Sequence, residues 1–259
     1  MLLDLIKTRF QQKYRTMAWP DGPVPDLPER FAGRPVVNGT CRKGCNACVD
    51  CCPTSAVTLA KDGGDGLLPS IDTGKCLFCR ACERNCPSGV IVFSREYRKA
   101  ACCRDDLVVT AGSSEFSPAL VEKARSMFGR SLKLREVSAG GCNACEADSN
   151  VLTTLAWDLG RFGIQFVAAP RHADGLLITG PVTKNMETAL LKTYAAVPEP
   201  KIVIATGACA ISGGPFIGNP EHCHGASSLV PVDLFIPGCP PHPLTILDGL
   251  LRFIGRIKP

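Results

Sequence analysis

The cysteines limit what this chain can fold into more than any other residue type does. Sixteen occur in 259 residues, and twelve of them fall into three groups. Cys76, Cys79, Cys82 and Cys86, followed by Pro87, read C-x2-C-x2-C-x3-C-P. Cys41, Cys45, Cys48 and Cys52, followed by Pro53, repeat that run with one extra residue in the first gap. Cys142 and Cys145, then Cys209 and Cys239, form a third set scattered along the chain. Thiolates are soft donors that suit iron–sulfur clusters. The C-P run belongs to paired clusters, in which the fourth cysteine ligates the other cluster of the pair. The spacing therefore predicts a chain that carries electrons.

Composition narrows the setting. A hydrophobic share of 45% and a charged share of 20% are ordinary for a globular chain, enough for one large or two modest domains. The amino terminus, MLLDLIKTRFQQKYR, lacks the charged start, apolar run and small-residue cleavage site of a secretory signal. C-x-x-C pairs without such a signal point to metal in a reducing compartment rather than to disulfides. No stretch approaches ~18 consecutive apolar residues, so no membrane span is expected. The net charge of +5 is mild and spread along the chain. It favours an acidic partner or an anionic membrane surface, not nucleic acid.

The chain divides into four regions. Residues 1–35 hold an amphipathic helix over 1–18, with Leu2, Leu5, Ile6, Phe10 and Tyr14 at helical spacing, and then a linker from Trp19 to Pro35 with five prolines. The helix reads either as a docking helix against this fold or a partner, or as one lying at a lipid surface. Residues 36–95 contain an internal repeat: Cys45, Cys48, Cys52, Pro53 and Val57 match Cys79, Cys82, Cys86, Pro87 and Ile91. Each half reads loop, short helix, then a short β run at Val57–Leu59 or Val90–Phe93, with a turn at DGGDG between the halves. Residues 96–130 form a connector with one helix after Ser117-Pro118, stopped at Gly129. Residues 131–259 alternate β and α. Strands are expected at Leu132–Val137, Gln165–Ala168, Leu176–Thr179, Lys201–Ala205 and Val232–Ile236, and helices at Glu146–Leu159, Met186–Ala196 and Leu244–Ile257. Short apolar runs alternating with helices predict a parallel sheet covered on both faces. Ligands of such sheets sit beyond the carboxyl ends of strands, where Cys142, Cys145, Cys209 and Cys239 all fall.

Pairing by the C-P rule gives Cys41, Cys45, Cys48 and Cys86 to one [4Fe–4S] cluster, and Cys76, Cys79, Cys82 and Cys52 to the other. Structural zinc also uses C-x-x-C pairs but gives no reason for C-x3-C-P twice. In the first half the first gap holds Arg42, Lys43 and Gly44, and Cys51 competes as a neighbouring ligand. The third set lies in glycine- or proline-rich loops: GGCNACE at Gly140–Glu146, GACAISGGPF at Gly207–Phe216 and PGCPPHP at Pro237–Pro243. Glycines let backbone approach a bulky cofactor, which favours a third [4Fe–4S] cluster over buried cysteines acting as small hydrophobes. Cys51, Cys102, Cys103 and Cys223 are left as spare thiols.

Residues 131–258 resemble the small subunit of membrane-bound energy-converting [NiFe] hydrogenases of the formate hydrogenlyase type. They are similar, more distantly, to the 20 kDa cluster-bearing subunit of respiratory complex I. The resemblance rests on GGCNACE, on PRHADGLLITGPVTKNM at Pro170–Met186, on ATGACAISGG at Ala205–Gly214 and on VPVDLFIPGCPPHP at Val230–Pro243. Residues 1–100 resemble the two-cluster ferredoxin-like subunit of the same complexes, including FSREY at Phe93–Tyr97. Cys142-Asn143-Ala144-Cys145 follows the hydrogenase spacing, whereas the complex I subunit has adjacent cysteines there. The resemblance implies a fusion of two neighbouring subunits: an α+β two-cluster ferredoxin domain, then an α/β flavodoxin-like parallel-sheet domain. It implies three [4Fe–4S] clusters, and a [NiFe]-hydrogenase-type large subunit that holds the nickel-iron site outside this chain. It also implies membrane subunits, an electron-donor or acceptor protein, and a peripheral place on the cytoplasmic side of the inner membrane. A complex I-like quinone reductase, or a related complex without nickel, is the alternative.

Three further residues invite roles. Glu146 follows a cluster cysteine; the resemblance puts it at the large-subunit interface as a proton relay, while the helix dipole alone also favours an acid there. Arg171 and His172 precede the third strand of the sheet. They read either as neighbours of the third cluster, where a histidine couples protons to electrons, or as ordinary surface residues. His222, Cys223 and His224 form a short tract of metal-binding residue types, but three neighbours in one loop do not close a site alone.

Overall fold

The computed structural model of the chain describes residues 2–61, 66–112, 126–128 and 130–257. Most of the DGGDG turn and most of the connector helix lie outside the described residues; residues 126–128 are helical. The amino-terminal helix α1 spans Leu2–Gln12 and buries none of its residues. It is shorter than expected because Lys13 turns left-handed, at φ 55°. The proline-rich stretch is pinned at both ends. Trp19 is buried in the sheet domain's core, and the Arg161 guanidinium donates to the carbonyls of Met17 and Trp19. At the other end Pro35–Val37 forms strand β1.

The ferredoxin-type half contains two short helices, α2 (Ala47–Asp50) and α3 (Ala81–Arg84), each bearing the third cysteine of its run. Strand β1 pairs antiparallel with β4 (Ile91–Phe93). Strands β2 (Val57–Lys61) and β3 (Leu67–Asp72) pair antiparallel, and β5 (Val108–Val109) adds to β3. The core of this half includes Val37, Val57, Ile71, Ile91 and Phe93, together with Cys41, Cys48, Cys76 and Cys82.

The second half is a five-stranded parallel sheet. Its strands are β6 (Leu132–Ser138), β7 (Ile164–Phe166), β8 (Gly175–Thr179), β9 (Ile202–Thr206) and β10 (Leu234–Ile236), in the order β10-β9-β8-β6-β7. Strands β8, β9 and β10 are buried throughout, as continuous apolar runs require. Alternation sends neighbouring residues to opposite faces. Leu177, Ile204, Leu234 and Ile236 pack on one face with Leu244, Leu247 and Leu250 of α7 (Pro243–Phe253). Leu176, Ile178, Val203, Ala205 and Phe235 pack on the other with Leu190 of α5 (Lys184–Ala196) and Ile211 of α6 (Ala208–Ser212). Helix α4 (Ala144–Val151) is shorter than the expected Glu146–Leu159. The Thr153 and Thr154 hydroxyls donate to carbonyls three residues back, which offers the backbone an alternative to helix, and Asp158 is left-handed.

The segment expected as a mere connector stitches the two halves. Ala101 forms a two-bond antiparallel bridge with Phe235 at the sheet's edge. A few residues on, β5 joins the ferredoxin-type sheet. The Arg104 guanidinium donates two hydrogen bonds to Asp72. The Ser212 hydroxyl, at the end of α6, donates to the Gly74 carbonyl at 3.0 Å.

Candidate functional site

The twelve candidate ligands fall into three candidate sets of four. In the first set, Cys48 is pushed up to about 11 by burial and by the charges of Cys41, Cys86 and Cys45. Cys86, which arrives from the other repeat, is instead held below the ordinary thiol value. Burial opposes this, but the N–H groups of Ile91, Val90, Ser88 and Gly89 outweigh it; the Val90 amide lies 3.3 Å from its Sγ. In the second set, Cys76 is pushed up to about 12 by burial and then by Cys82, Cys52 and Cys79, against the Phe78 N–H that donates to its Sγ at 3.3 Å. Cys52, also from the other repeat, accepts from the Ala56 amide at 3.2 Å.

Left-handed backbone shapes both loops. Gly44 (φ 78°) and Phe78 (φ 54°) occupy matching places before Cys45 and Cys79. The extra residue in the first gap thus leaves this turn in place.

The third set is gathered by topology. Cys142 and Cys145 follow β6, Cys209 follows β9 and Cys239 follows β10, and in a parallel sheet those ends coincide. Burial, Cys209, Glu146, Cys239 and Cys142 together raise the Cys145 thiol. Burial, Cys239 and Cys142 push Cys209 up to about 12. Two glycines make room for sulfur here. A Cβ on Gly207 (φ 90°) would stand 2.5 Å from the Cys145 Sγ, and one on Gly214 (φ 56°) would stand 2.8 Å from the Cys209 Sγ.

The second and third sets adjoin. The Cys239 thiol is raised by burial, by Cys142, and also by Cys79 of the second set. Cys79, Cys142 and Cys239 are all exposed. The Gly74–Ser212 and Asp72–Arg104 bonds hold the second loop against α6 at this junction.

Among the described residues, no three His, Cys, Asp or Glu side chains close around a point that one metal ion would fill. Four sulfurs around zinc stand ~3.8 Å apart, from the Zn–S length and a tetrahedral angle; a four-iron cube is larger and holds its ligands farther apart. Soft donors in fours, amides aimed at sulfur and backbone cut back to glycine beside it are features that fit such a cube.

The spare thiols separate. Cys51 lies beside the second set, where it raises Cys82 along with Cys52 and Cys79. Cys102 and Cys223 are buried in the cores on the two faces of the sheet, and Cys103 is exposed. The Cys223 thiol donates to Glu187 at 3.6 Å. Arg171 and His172 do not join the third set. They are exposed in a turn at the amino end of β8, and five residues of strand, ~16 Å at the usual rise, separate them from the cysteine end. Glu146 does lie there. It is 5% exposed and accepts from the Ser138 and Thr179 hydroxyls at 2.6 and 2.7 Å.

Two groups escape sequence reading. Glu136, on β6, is pushed up to about 7 by burial and by Glu146, and its Oε1 is buried without a partner. Lys99 is 8% exposed, and its Nζ donates to the Ala32 carbonyl and lies over the Phe78 ring. Neither position carries a motif; each acquires its setting only when distant segments meet.

Residues 142–253 match the family of the NADH ubiquinone oxidoreductase 20 kDa subunit, and residues 40–90 match the 4Fe-4S dicluster domain. The chain is 43% identical over 130 residues to the probable membrane-bound hydrogenase subunit mbhJ of Pyrococcus furiosus, covering 50% of this chain and 78% of that protein. It is 43% identical over 131 residues to formate hydrogenlyase subunit 7 of Escherichia coli, covering 50% of this chain and 51% of that one. It is 45% identical over 103 residues to an NADH-quinone oxidoreductase subunit of Carboxydothermus hydrogenoformans, covering 39% and 62%. Sheet topology, cysteine placement and sequence identity converge, and the chain belongs to the family of the NADH ubiquinone oxidoreductase 20 kDa subunit, with a 4Fe-4S dicluster domain ahead of that family's segment.

Proposed function

We propose that the chain is an electron-transfer subunit with three [4Fe–4S] clusters, relaying electrons between a redox donor module and the catalytic large subunit of a membrane-bound [NiFe]-hydrogenase or formate hydrogenlyase-like complex. Cys41, Cys45, Cys48 and Cys86 would hold the first cluster, Cys52, Cys76, Cys79 and Cys82 the second, and Cys142, Cys145, Cys209 and Cys239 the third. Each such cluster supplies one-electron redox chemistry. What supports this reading is the dicluster-domain match over residues 40–90 together with the placement of Cys142, Cys145, Cys209 and Cys239 after β6, β9 and β10, at the carboxyl end of one parallel sheet, where Cys142 and Cys239 are exposed. Of the other candidates, only Glu146 sits beside a ligand set, and it is carried forward as a proton-handling carboxylate.

The reading divides the chain at 36–95 for the dicluster domain and 131–259 for the sheet domain. Among the described residues no helix is long and apolar enough to cross a membrane, which suits peripheral attachment to membrane subunits. A second reading is a fused subunit of a complex I-like NADH/quinone oxidoreductase, or of a hydrogenase-related complex without nickel. It is favoured by the identity to the NADH-quinone oxidoreductase subunit of Carboxydothermus hydrogenoformans. The purified complex decides between them. About twelve iron and twelve sulfide per chain are expected from three four-iron clusters, with hydrogen evolution or uptake in the first reading and quinone reduction without hydrogen turnover in the second. Zinc in place of iron and sulfide would overturn both.

A further inference from the structure

Lys99 is a buried amine without a carboxylate, and burial pulls it down to about 7 against the Cys76 charge that raises it. Its Nζ donates to the Ala32 carbonyl at 3.3 Å, lies 3.9 Å from the centre of the Phe78 ring and 5.2 Å from that of Phe31. Among the described residues no acid forms an ion pair with it. The group that would stand as its counter-charge is Cys76, a member of the second set, which is anionic as a cluster ligand. The same Phe31 ring meets the His242 ring edge-on, and the His242 Nδ1 accepts from the Leu244 amide. Burying a charge without a counter-charge is costly, and one ring over which it sits belongs to the residue between Cys76 and Cys79.

The matching place in the first set is Gly44, which has no ring, and a Cβ there would meet nothing within 4 Å. The two sets are related by an internal repeat, yet only the second is shown with a buried cation beside it.

We propose that Lys99 is the built-in counter-charge of the second set, and that it makes the cluster held there easier to reduce than the one held by the first set. The inference rests on the ligand reading above. A fixed positive charge stabilises the form that has gained an electron, and the low dielectric of a buried site enlarges the effect. Lys99 thereby biases one-electron transfer towards the set that faces Cys239. It is a positioning residue for charge and ligates nothing.

The test is a mediated dithionite titration of the purified full-length chain, followed by electron paramagnetic resonance, in wild type, Lys99→Met and Lys99→Arg. Lys99→Met should lower the one-electron reduction equilibrium of the second cluster ten-fold or more, about 59 mV. The first and third should stay in place, and Lys99→Arg should stay near wild type. A filled second site whose potential does not move in Lys99→Met overturns the inference alone, as does an equal shift of all three. A wild type with no cluster at the second set overturns the ligand reading and the inference with it. If Lys99→Met fails to assemble the second cluster, Lys99→Gln replaces it. Loss in both neutral variants with retention in Lys99→Arg supports the counter-charge, and loss in all three assigns Lys99 to packing instead.

Discussion

The two halves of this chain place cysteine in opposite ways. In the ferredoxin-type half the candidate ligands are part of the core: Cys41, Cys48, Cys76 and Cys82 are buried among Val57, Ile71 and Ile91. In the sheet domain the candidate ligands stand outside the core, at strand ends, while the spare thiols Cys102 and Cys223 lie inside it. One half is thus built around its candidate ligands and the other presents them on a finished scaffold. Small cores need staples, and a bound metal is one kind. A five-stranded sheet packed on both faces needs none.

Metal removal should break the two halves apart most strongly. Stripping iron with a chelator under oxidising conditions should unfold the dicluster half, because ligand binding there is also folding free energy. The sheet should persist. Hydrogen exchange gives the reading: amides of β3 and β4 should lose protection while those of β8 and β9 keep it. Cys82→Ser is the graded form and should cost the second cluster while leaving the sheet domain folded. Loss of protection in β8 and β9 on stripping would show that both halves form one cooperative unit through the Ala101–Phe235 bridge and the Arg104–Asp72 pair.

Within the sheet domain the contrast sharpens to two thiols. Cys239→Ala removes a sulfur from the junction with Cys79, and should cost about a third of the iron, one cluster of three. Electron delivery to a partner should cease, while the first two clusters still take electrons from a chemical reductant. Cys223→Ala removes a buried sulfur that donates to Glu187, and should leave iron content and turnover close to wild type at a modest stability cost. If Cys223→Ala were the inactive variant and Cys239→Ala the active one, the ligand set of the sheet domain would be misassigned.

What could be read in advance follows the same division. Strand positions in the sheet domain were legible to within one or two residues, because β8, β9 and β10 are apolar without interruption. That Cys142, Cys145, Cys209 and Cys239 follow strands at one end of the sheet was legible from one rule about parallel sheets. The same rule places Arg171 and His172 at the other end of the sheet: they precede a strand, and the candidate ligands follow strands. Strands β1, β3 and β5 were not legible. Strands β1 and β5 are only three and two residues long, and Pro35 and Pro69 sit at the edge of β1 and within β3. The neighbours of Lys99 were not legible either, since Ala32, Phe78 and His242 come from three distant segments.

The smallest effect concerns how a short helix is held when its core is mostly cluster. Helix α3 carries Cys82, and Glu83 ties it to β4: the Phe93 amide donates to Oε1 at 2.9 Å, and the Arg80 guanidinium donates to Oε2. Arg80's hydrogen bond, working against partial burial and aided by the Phe93 amide and the charges of Arg80 and Arg84, holds the carboxyl below its ordinary value. A carboxyl lowered on folding stabilises fully above its unfolded pKa of about 4.3, and that stability is lost as pH falls through the folded value. Glu83→Gln keeps an acceptor for Phe93 but cannot titrate. The acid-side loss of the dicluster absorbance should therefore be less steep in the variant than in wild type below about pH 4. Above pH 5 the variant should be the weaker by about 1 kcal/mol or less, because the pair is partly exposed and screened. Among the described residues no comparable acid fastens α6, which carries Cys209 and whose Ser212 hydroxyl donates to carbonyls that do not titrate in this range. The third cluster's acid limb should be the same in both proteins; a change there would mean that Glu83 acts through the junction between the halves and not on α3 alone.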